Sequence, residues 1–344
     1  MSTQQFETPI LLLVFNRPET TRPVFDAIRS VKPAKLYIVA DGPRPDVAED
    51  LARCSSVREI VSAVDWECKV TTNFRAINMG CGRGVVNGVS WFFEHESEGI
   101  ILEDDCIAGP SFFRFCGDML KKFRYDSRVM SIGGNNFEKL DTREHEYSYT
   151  FSNHIYVWGW ATWRRAWKLN DYHLKHLPEV KKKNYLTDHY SSIYERDLFE
   201  YIFDRISNDD ERLNKSKIWD YQWQFTCKIN SGLTIVPNRN LVVNIGFGEG
   251  ATNTGHVRDS DYNLKLEKME FPLRHPDFMM VNAKREKRTF NSMHTSWNSR
   301  ARSVVKAMLP RPVVEKLVKP FLHLLLSNGK KPVYVKEDKV KAYV

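Results

Sequence analysis

The chain has 344 residues and no apolar run of the ~18 residues that would be needed to cross a bilayer. Its early run from Ile10 to Phe15 is only strand-sized. The first ten residues, MSTQQFETPI, lack the basic n-region and apolar core of a secretory leader. Cysteine is sparse: Cys54, Cys68, Cys81, Cys106, Cys116 and Cys227 form neither a CxxC pair nor a zinc-ligand spacing. Without a leader, these are expected to be reduced thiols of a cytoplasmic protein. No G-x-G-x-x-G or Walker sequence follows the first apolar run, which argues against NAD and P-loop chemistry. A composition of 42% hydrophobic and 27% charged residues excludes disorder and collagen-like repeats. The length suits one large domain or two small ones, with ample material for a core.

Charge is unevenly spread. From Lys284 to Val344 there are fifteen lysines and arginines against four acids, Glu286, Glu315, Glu337 and Asp338, whereas the whole chain carries a net +8. The body is therefore slightly acidic, and the basicity belongs to the C-terminal end. No recognisable nucleic-acid-binding module or basic face accompanies it, so no nucleic-acid partner is expected. The tail also carries apolar clusters (Val304-Val305, Met308-Leu309, Leu317-Val318, Phe321 to Leu326). Two readings stand: an amphipathic segment at an anionic membrane surface, or a solvated basic helical extension packed on the body.

Along the body, strand and helix signals alternate. PILLLVF (9–15) is an unbroken apolar run, as expected of a strand covered on both faces. Thr20 or Thr21 can then cap a helix bearing Val24, Phe25, Ile28 and Val31 at helical spacing. LYIVA (36–40) is a second buried strand, ended by Asp41-Gly42-Pro43, and helix 46–63 and a short strand at 68–72 follow. Residues 83–96 read as a helix, and GIIL (99–102) as a third buried strand running straight into Glu103-Asp104-Asp105. Such alternation implies an α/β fold with a mostly parallel central sheet and flanking helices. Ligands of such sheets bind outside the carboxyl ends of the strands. Three predicted strand ends carry suitable polar groups: Asn16-Arg17, Asp41-Gly42 and the acidic triplet. Trp160, Trp163 and Trp167 lie at i, i+3, i+7 spacing, which on a helix makes one buried face. Trp158 and Trp160 flank Gly159 just before that helix, and Trp160 is expected to stack on a sugar ring. Residues 170–217 are polar and loop-rich to about 190, then helical near 192–206, and are expected to form the acceptor side or a lid.

The triplet is the sharpest feature. Three adjacent acids repel one another, and one physical reason to gather them is a hard divalent cation such as Mg²⁺ or Mn²⁺. A solvated turn is the plain alternative, made less attractive by the position at the end of a third α/β strand.

The segment ILEDDCIAGPSFFRF resembles the acidic signature of GT-A nucleotide-sugar glycosyltransferases, specifically the N-acetylglucosaminyltransferase I-like family, here without a membrane anchor. PILLLVFNRPETTRPVFDAI is similar to that family's first strand and helix, and VADGP to its second strand end. VWGWATWRRAW, IWDYQWQF and NIGFGEGATNTGH are similar to its Gly-Trp segment, its catalytic-carboxylate segment and its Gly-rich loop. The blocks stand in the family's order from about residue 8 to 260, and the tail from about 266 is not covered.

The resemblance implies a GT-A domain over 1–265, with a nucleotide half at about 8–110 and an acceptor and catalytic half at about 111–265. A basic amphipathic extension would follow at 266–344. Asn16, Arg17 and Asp41 would contact a uridine-type nucleotide, Glu103 the donor sugar, and Asp104 the ribose or sugar. Asp105 would be the direct ligand of Mn²⁺ or Mg²⁺. Asp220 would be the general base of an inverting transfer. The family's basic groups before the acidic strand are replaced by Gly80-Cys81-Gly82-Arg83-Gly84, where Arg83 stands in for them.

The chemistry of the residues fits those roles. An inverting transfer needs a carboxylate to take the acceptor's proton and positive charge for the leaving diphosphate. Asp220 lies among Trp219, Tyr221 and Trp223, where burial would raise its proton affinity; capping a helix is its plainer reading. Glu249 competes for the base role. Gly248 and Gly250 on either side of it allow close approach to phosphate oxygens, or a mobile lid. His256 could reach a metal or phosphate, but a lone histidine is more often structural. The partners expected are a UDP-sugar donor and a glycan or lipid-linked acceptor in surface polysaccharide synthesis, with peripheral membrane contact through the tail. A nucleotidyltransferase making a nucleotide sugar, and a non-catalytic nucleotide- or carbohydrate-binding module, are the alternatives.

Overall fold

The first strand, β1 (Ile10–Val14), is buried along its whole length, and its alternate side chains divide the interior. Ile10, Leu12 and Val14 enter one core, and Leu11 and Leu13 another on the opposite face. A computed structural model describes residues 5–138, 146–186, 189–208, 217–247 and 264–294 of the chain. In it β1 leads to α1 (Pro18–Val31), β2 (Lys35–Ala40), α2 (Ala48–Ser62), β3 (Lys69–Phe74), α3 (Cys81–His95) and β4 (Glu98–Glu103). Then come β5 (Cys106–Ala108), α4 (Pro110–Lys122), β6 (Val129–Gly133), β7 (Tyr149–Ser152), β8 (Trp160–Trp163) and the short α5 (Arg164–Trp167). The remainder is α6 (Leu177–Lys182), α7 (Ile193–Ser207), α8 (Asp220–Ile229), β9 (Leu233–Pro237), β10 (Val242–Asn244) and α9 (Ala283–His294).

Eight strands form one sheet in the order β3-β2-β1-β4-β8-β6-β9-β7. The β3-β2-β1-β4 half is parallel throughout. β8 runs antiparallel to both β4 and β6, so β6 and its parallel neighbour β9 point the same way as β4. β7 closes the far edge antiparallel to β9. The expected class, α/β with a mostly parallel central sheet and flanking helices, is what the chain has. α1, α2 and α4 cover one face through Val24, Phe25, Val57, Phe112 and Met119. α3, α5 and α8 cover the other through Val89, Phe92, Trp167 and Trp223. A third cluster joins α6, α7, α8 and α9. Among the described residues no helix is long and apolar enough to cross a membrane.

Two local expectations are corrected. α1 starts at Pro18, earlier than a cap at Thr20 or Thr21 would allow; Pro tolerates the first helical turn, where its missing N–H is not needed. The Thr21 hydroxyl instead donates back to the Arg17 carbonyl at 2.7 Å. Trp160 to Trp163 form a strand, not a helix. Both faces of β8 are buried, so no polar alternation revealed it, and Gly159 turns the chain into it at φ +64°, where a Cβ would meet Val242 at 2.8 Å. Within the extension expected from 266, the described part up to 294 packs on the body, as one of the two readings had it: Met269 and Leu273 join the main core, and Phe290 on α9 joins the third cluster. Residues 295–344, with the rest of the basic tail, lie outside the described residues.

Trp160 is fully enclosed between Trp219, Trp167 and Trp223, with ring centroids at 5.5, 5.9 and 6.2 Å. Trp160→Ala is expected to lower the unfolding free energy by about 3–5 kcal/mol, measured by denaturant titration. A loss below about 1 kcal/mol would mean that this aromatic cluster does not support the fold.

Candidate active site

β1, β2 and β4 run parallel, so their carboxyl ends open at one edge of the sheet, where the polar residues of the strand-to-helix turns gather. β1 delivers Phe15, Asn16 and Arg17 there, β2 delivers Asp41, and β4 delivers Glu103-Asp104-Asp105. Arg17 reaches across to the triplet: its guanidinium donates to Asp104 and, at 3.0 Å, to Asp105 Oδ2. The Phe15 backbone N–H donates to Asp104 Oδ2 at 3.2 Å. Asp104 is almost fully buried, and that burial pushes its carboxyl up to about 6, against the pull of Arg17. Burial also raises Glu103 well above the usual range, reinforced by the neighbouring charges of Asp105 and Asp104. One guanidinium thus holds together carboxylates that would otherwise separate.

Asp105 sits in a cradle made by the β5–β10 ribbon. Its Oδ1 accepts from Asn244 Nδ2 and from the Cys106 thiol, each at 3.3 Å, and its carbonyl accepts from the Ile245 N–H at 2.8 Å. The Asn244 side chain in turn accepts from the Gly246 N–H at 2.7 Å. A Cβ at Gly246 would stand 2.1 Å from Asp105 Oδ2 and 2.8 Å from its Cβ, so only glycine lets the chain close over that carboxylate. Sequence reasoning placed the Gly-rich loop here but missed Asn244 and Gly246 as the residues that seat Asp105.

Asp220 opens α8, one residue after the cap position, which Trp219 occupies. It does not serve as the helix cap, and its Oδ1 is buried with no hydrogen-bond partner among the described residues. Burial raises its carboxyl above the usual aspartate range, opposed by the Tyr221 backbone N–H. Although α8 is remote in sequence, Asp220 lies close enough to Glu103 for its charge to raise that carboxyl further, and both act on the partly buried Cys81 thiol at the start of α3. Trp219, stacked on Trp160 at an interplanar angle of 27°, anchors this end of α8.

The remaining expected residues are distributed as follows. Asp41 is buried and accepts from the N–H groups of Gly42 and Met79, at 3.0 to 3.1 Å, with Arg75 at 3.6 Å; burial raises its carboxyl against those donors. Asn16 donates its amide to Asp50 Oδ1 at 2.6 Å, tying the end of β1 to α2. Arg83 is exposed in the first turn of α3. Glu249, Gly248, Gly250 and His256 lie outside the described residues.

Trp160, expected to stack on a sugar, has no exposed face to offer, since packing against three other indoles encloses it. Trp158 on the other side of Gly159 is only partly buried, with Phe137 and Phe247 at 5.0 and 5.4 Å, and Phe247 directly follows the Asp105 cradle. Asn135, just past the carboxyl end of β6, is 1% exposed, and neither side-chain amide atom is paired among the described residues. It carried no signal in the sequence, where it is one of two adjacent asparagines in a glycine-rich turn.

Among the described residues no three His, Cys, Asp or Glu side chains gather as a ready-made metal cage. The donors present at the cluster are hard carboxylate oxygens, and Mg²⁺-type ions are commonly held by one or two carboxylates plus substrate phosphates. Asp105, with Asp104 beside it, fits that second pattern.

No known protein-family profile matches the chain, and no curated protein matches it. Among solved structures it is similar to 4-diphosphocytidyl-2C-methyl-D-erythritol synthase from Anaerococcus prevotii DSM 20548, at 10% identity and TM-score 0.37 over 72% of this chain and 95% of that one. A UDP-glucose pyrophosphorylase complexed with UDP-glucose matches at 7% and 0.29, over 47% of this chain and 78% of that one. The glycosyltransferase GlyE of Streptococcus pneumoniae TIGR4 matches at 7% and 0.32, over 68% and 46%. Likeness at that level carries no argument about this chain, whose fold stands on its own sheet order.

Gly246→Ala is expected to displace the Asp105 carboxylate while leaving both main cores intact. Its melting temperature should stay within a few degrees of wild type, and any divalent-cation binding at Asp105 should weaken at least ~10-fold, measured by calorimetry; unchanged cation binding would dissociate the cradle from a metal site. Glu103 binds its proton more tightly folded than unfolded, so metal-free protein should lose stability as pH rises from the ordinary glutamate value through the raised one. Glu103→Gln should flatten that dependence and be the more stable form at pH 8, read from urea titrations across pH.

Proposed function

We propose that the chain is a metal-dependent, inverting GT-A-type glycosyltransferase that moves a sugar from a nucleotide donor, UDP-linked, to a glycan or lipid-linked acceptor. The observation that carries this reading is Asp220: a carboxylate on a distant helix with a buried oxygen that has no partner among the described residues, near enough to Glu103 for its charge to act on it. An unpartnered carboxylate oxygen is costly to bury and is suited to accepting a proton from a substrate hydroxyl.

In this scheme Asp220 takes the acceptor's proton as the anomeric carbon develops positive charge, and its raised proton affinity brings it nearer to neutral pH. Asp105, with Asp104 beside it, would hold Mn²⁺ or Mg²⁺, which supplies positive charge to a leaving diphosphate. Arg17, which holds the two aspartates, would meet the same diphosphate. Asp41 and Arg83 flank the approach of the nucleotide, and Trp158 replaces Trp160 as the indole available to a sugar ring. The Gly-rich segment with Glu249 would close over the donor.

Calorimetry with UDP, with and without Mn²⁺, tests the donor site. Binding is expected to need the metal and to be lost in Asp105→Ala; metal-independent binding that survives in the variant overturns the assignment. With a UDP-sugar, Asp220→Asn should reduce turnover at least ~100-fold with donor binding retained. Because Asp220 must be ionised to accept a proton, the wild-type rate should rise with pH through a value above that of an ordinary aspartate. Release of pyrophosphate from UTP and a sugar phosphate would instead identify a nucleotidyltransferase.

A further inference from the structure

Beyond β7, the edge strand of the large sheet, runs the segment that leads into α9. Val281 forms a lone parallel bridge with Phe151 of β7. Extended residues alternate sides, and here Met279 and Val281 pack on the main core while Phe278 and Met280 point outward, 61% and 73% exposed. α9 begins three residues later and is firmly seated. Glu286 accepts from the Asn153 N–H at 3.0 Å and lies 3.7 Å from His154, Phe290 is buried, and Arg285 pairs with Glu138. Its outward residues recur at helical spacing: Lys284 and Lys287 are exposed with no ion-pair partner among the described residues, and Arg288 pairs with Glu138 at 2.9 Å. The acids beside this patch are Glu138, held by Arg285 and Arg288, and Asp277, within 3.4 Å of the Tyr147 hydroxyl. The chain after α9 continues the same charge, with eleven lysines and arginines against three acids over 295–344.

We infer that Phe278, Met280 and the Lys284–Lys287 face of α9 form a docking surface for an anionic lipid bilayer. The two apolar side chains enter the interfacial layer, and the ammonium groups, on long stems that lie along it, meet headgroup phosphates. Two protruding side chains fall far short of the roughly 1,000 Å² that a stable protein interface buries, whereas a lipid surface needs only shallow insertion and repeated charge contacts. Exposed apolar tips also set this patch apart from a purely electrostatic nucleic-acid surface. The surface does not rest on the reaction proposed above, and its test involves no turnover.

The full chain is sedimented with vesicles of phosphatidylcholine alone and of phosphatidylcholine with phosphatidylglycerol. Binding is expected to the anionic vesicles only, and to weaken with salt. Phe278→Ser/Met280→Ser and Lys284→Gln/Lys287→Gln, with melting temperatures checked against wild type, should each weaken it about tenfold or more. Absence of binding by wild type, equal binding to both vesicle types, or full binding by both folded variants overturns the proposal; in the last case the residues beyond 294 hold the lipid alone. Retained UDP binding by the variants would separate this surface from the candidate active site.

Discussion

The ion pairing of Arg17 with Asp104 and Asp105 is the contact on which the candidate site depends. Three consecutive acids at the end of a buried strand repel one another in surroundings that screen charge poorly. A single guanidinium, delivered from the end of the neighbouring parallel strand, offsets much of that repulsion. β1 and β4 are hydrogen-bonded with Leu13 opposite Glu103, so the two strands end side by side, and Arg17, at the cap position of α1 just past β1, reaches across to the aspartates.

Two further elements complete the cluster, and both come from the second half of the chain. The β5–β10 ribbon seats Asp105 with Asn244, Ile245 and Gly246. The tryptophan group of Trp160, Trp167, Trp219 and Trp223 fixes the start of α8 and so the position of Asp220. Trp160 thus acts at a distance: it supports the residue preceding Asp220 and touches solvent nowhere. The site keeps polar groups that the fold alone would not select, including unpaired atoms on Asp220 and Asn135 and carboxyls with raised proton affinity. Such unsatisfied groups lower stability, and they concentrate where a ligand would supply the missing partners.

The C-terminal part of the described chain is bound into this body more tightly than its composition suggests. Glu286 and Phe290 of α9 meet His154, Glu195 and Phe199 in a buried group linking three separate segments. The basic face of α9 is consequently held in one orientation by the body, with Phe278 and Met280 at its foot.

What the sequence determined by itself is the first half of the fold and the identity of its charged strand ends. Apolar runs such as ILLLV and IIL, buried on both faces, can only be central strands, and the helices between them force parallel pairing. Arg17, Asp41 and the acidic triplet follow because they stand where those strands stop. What only the tertiary structure decided is which distant residues join them. Trp160 at helical spacing from Trp163 and Trp167 looked like helix because a strand buried on both faces has no periodicity of its own to contradict it. Asn135 carries no local pattern, the motifs holding Asn244, Gly246 and Trp158 do not say what those side chains meet, and the proximity of Asp220 to Glu103 arises from packing across more than a hundred residues. Local sequence sets strand and helix through backbone propensity and burial pattern; the meeting of side chains far apart in the chain is set by the order of strands in the sheet and the volume of the cores between them.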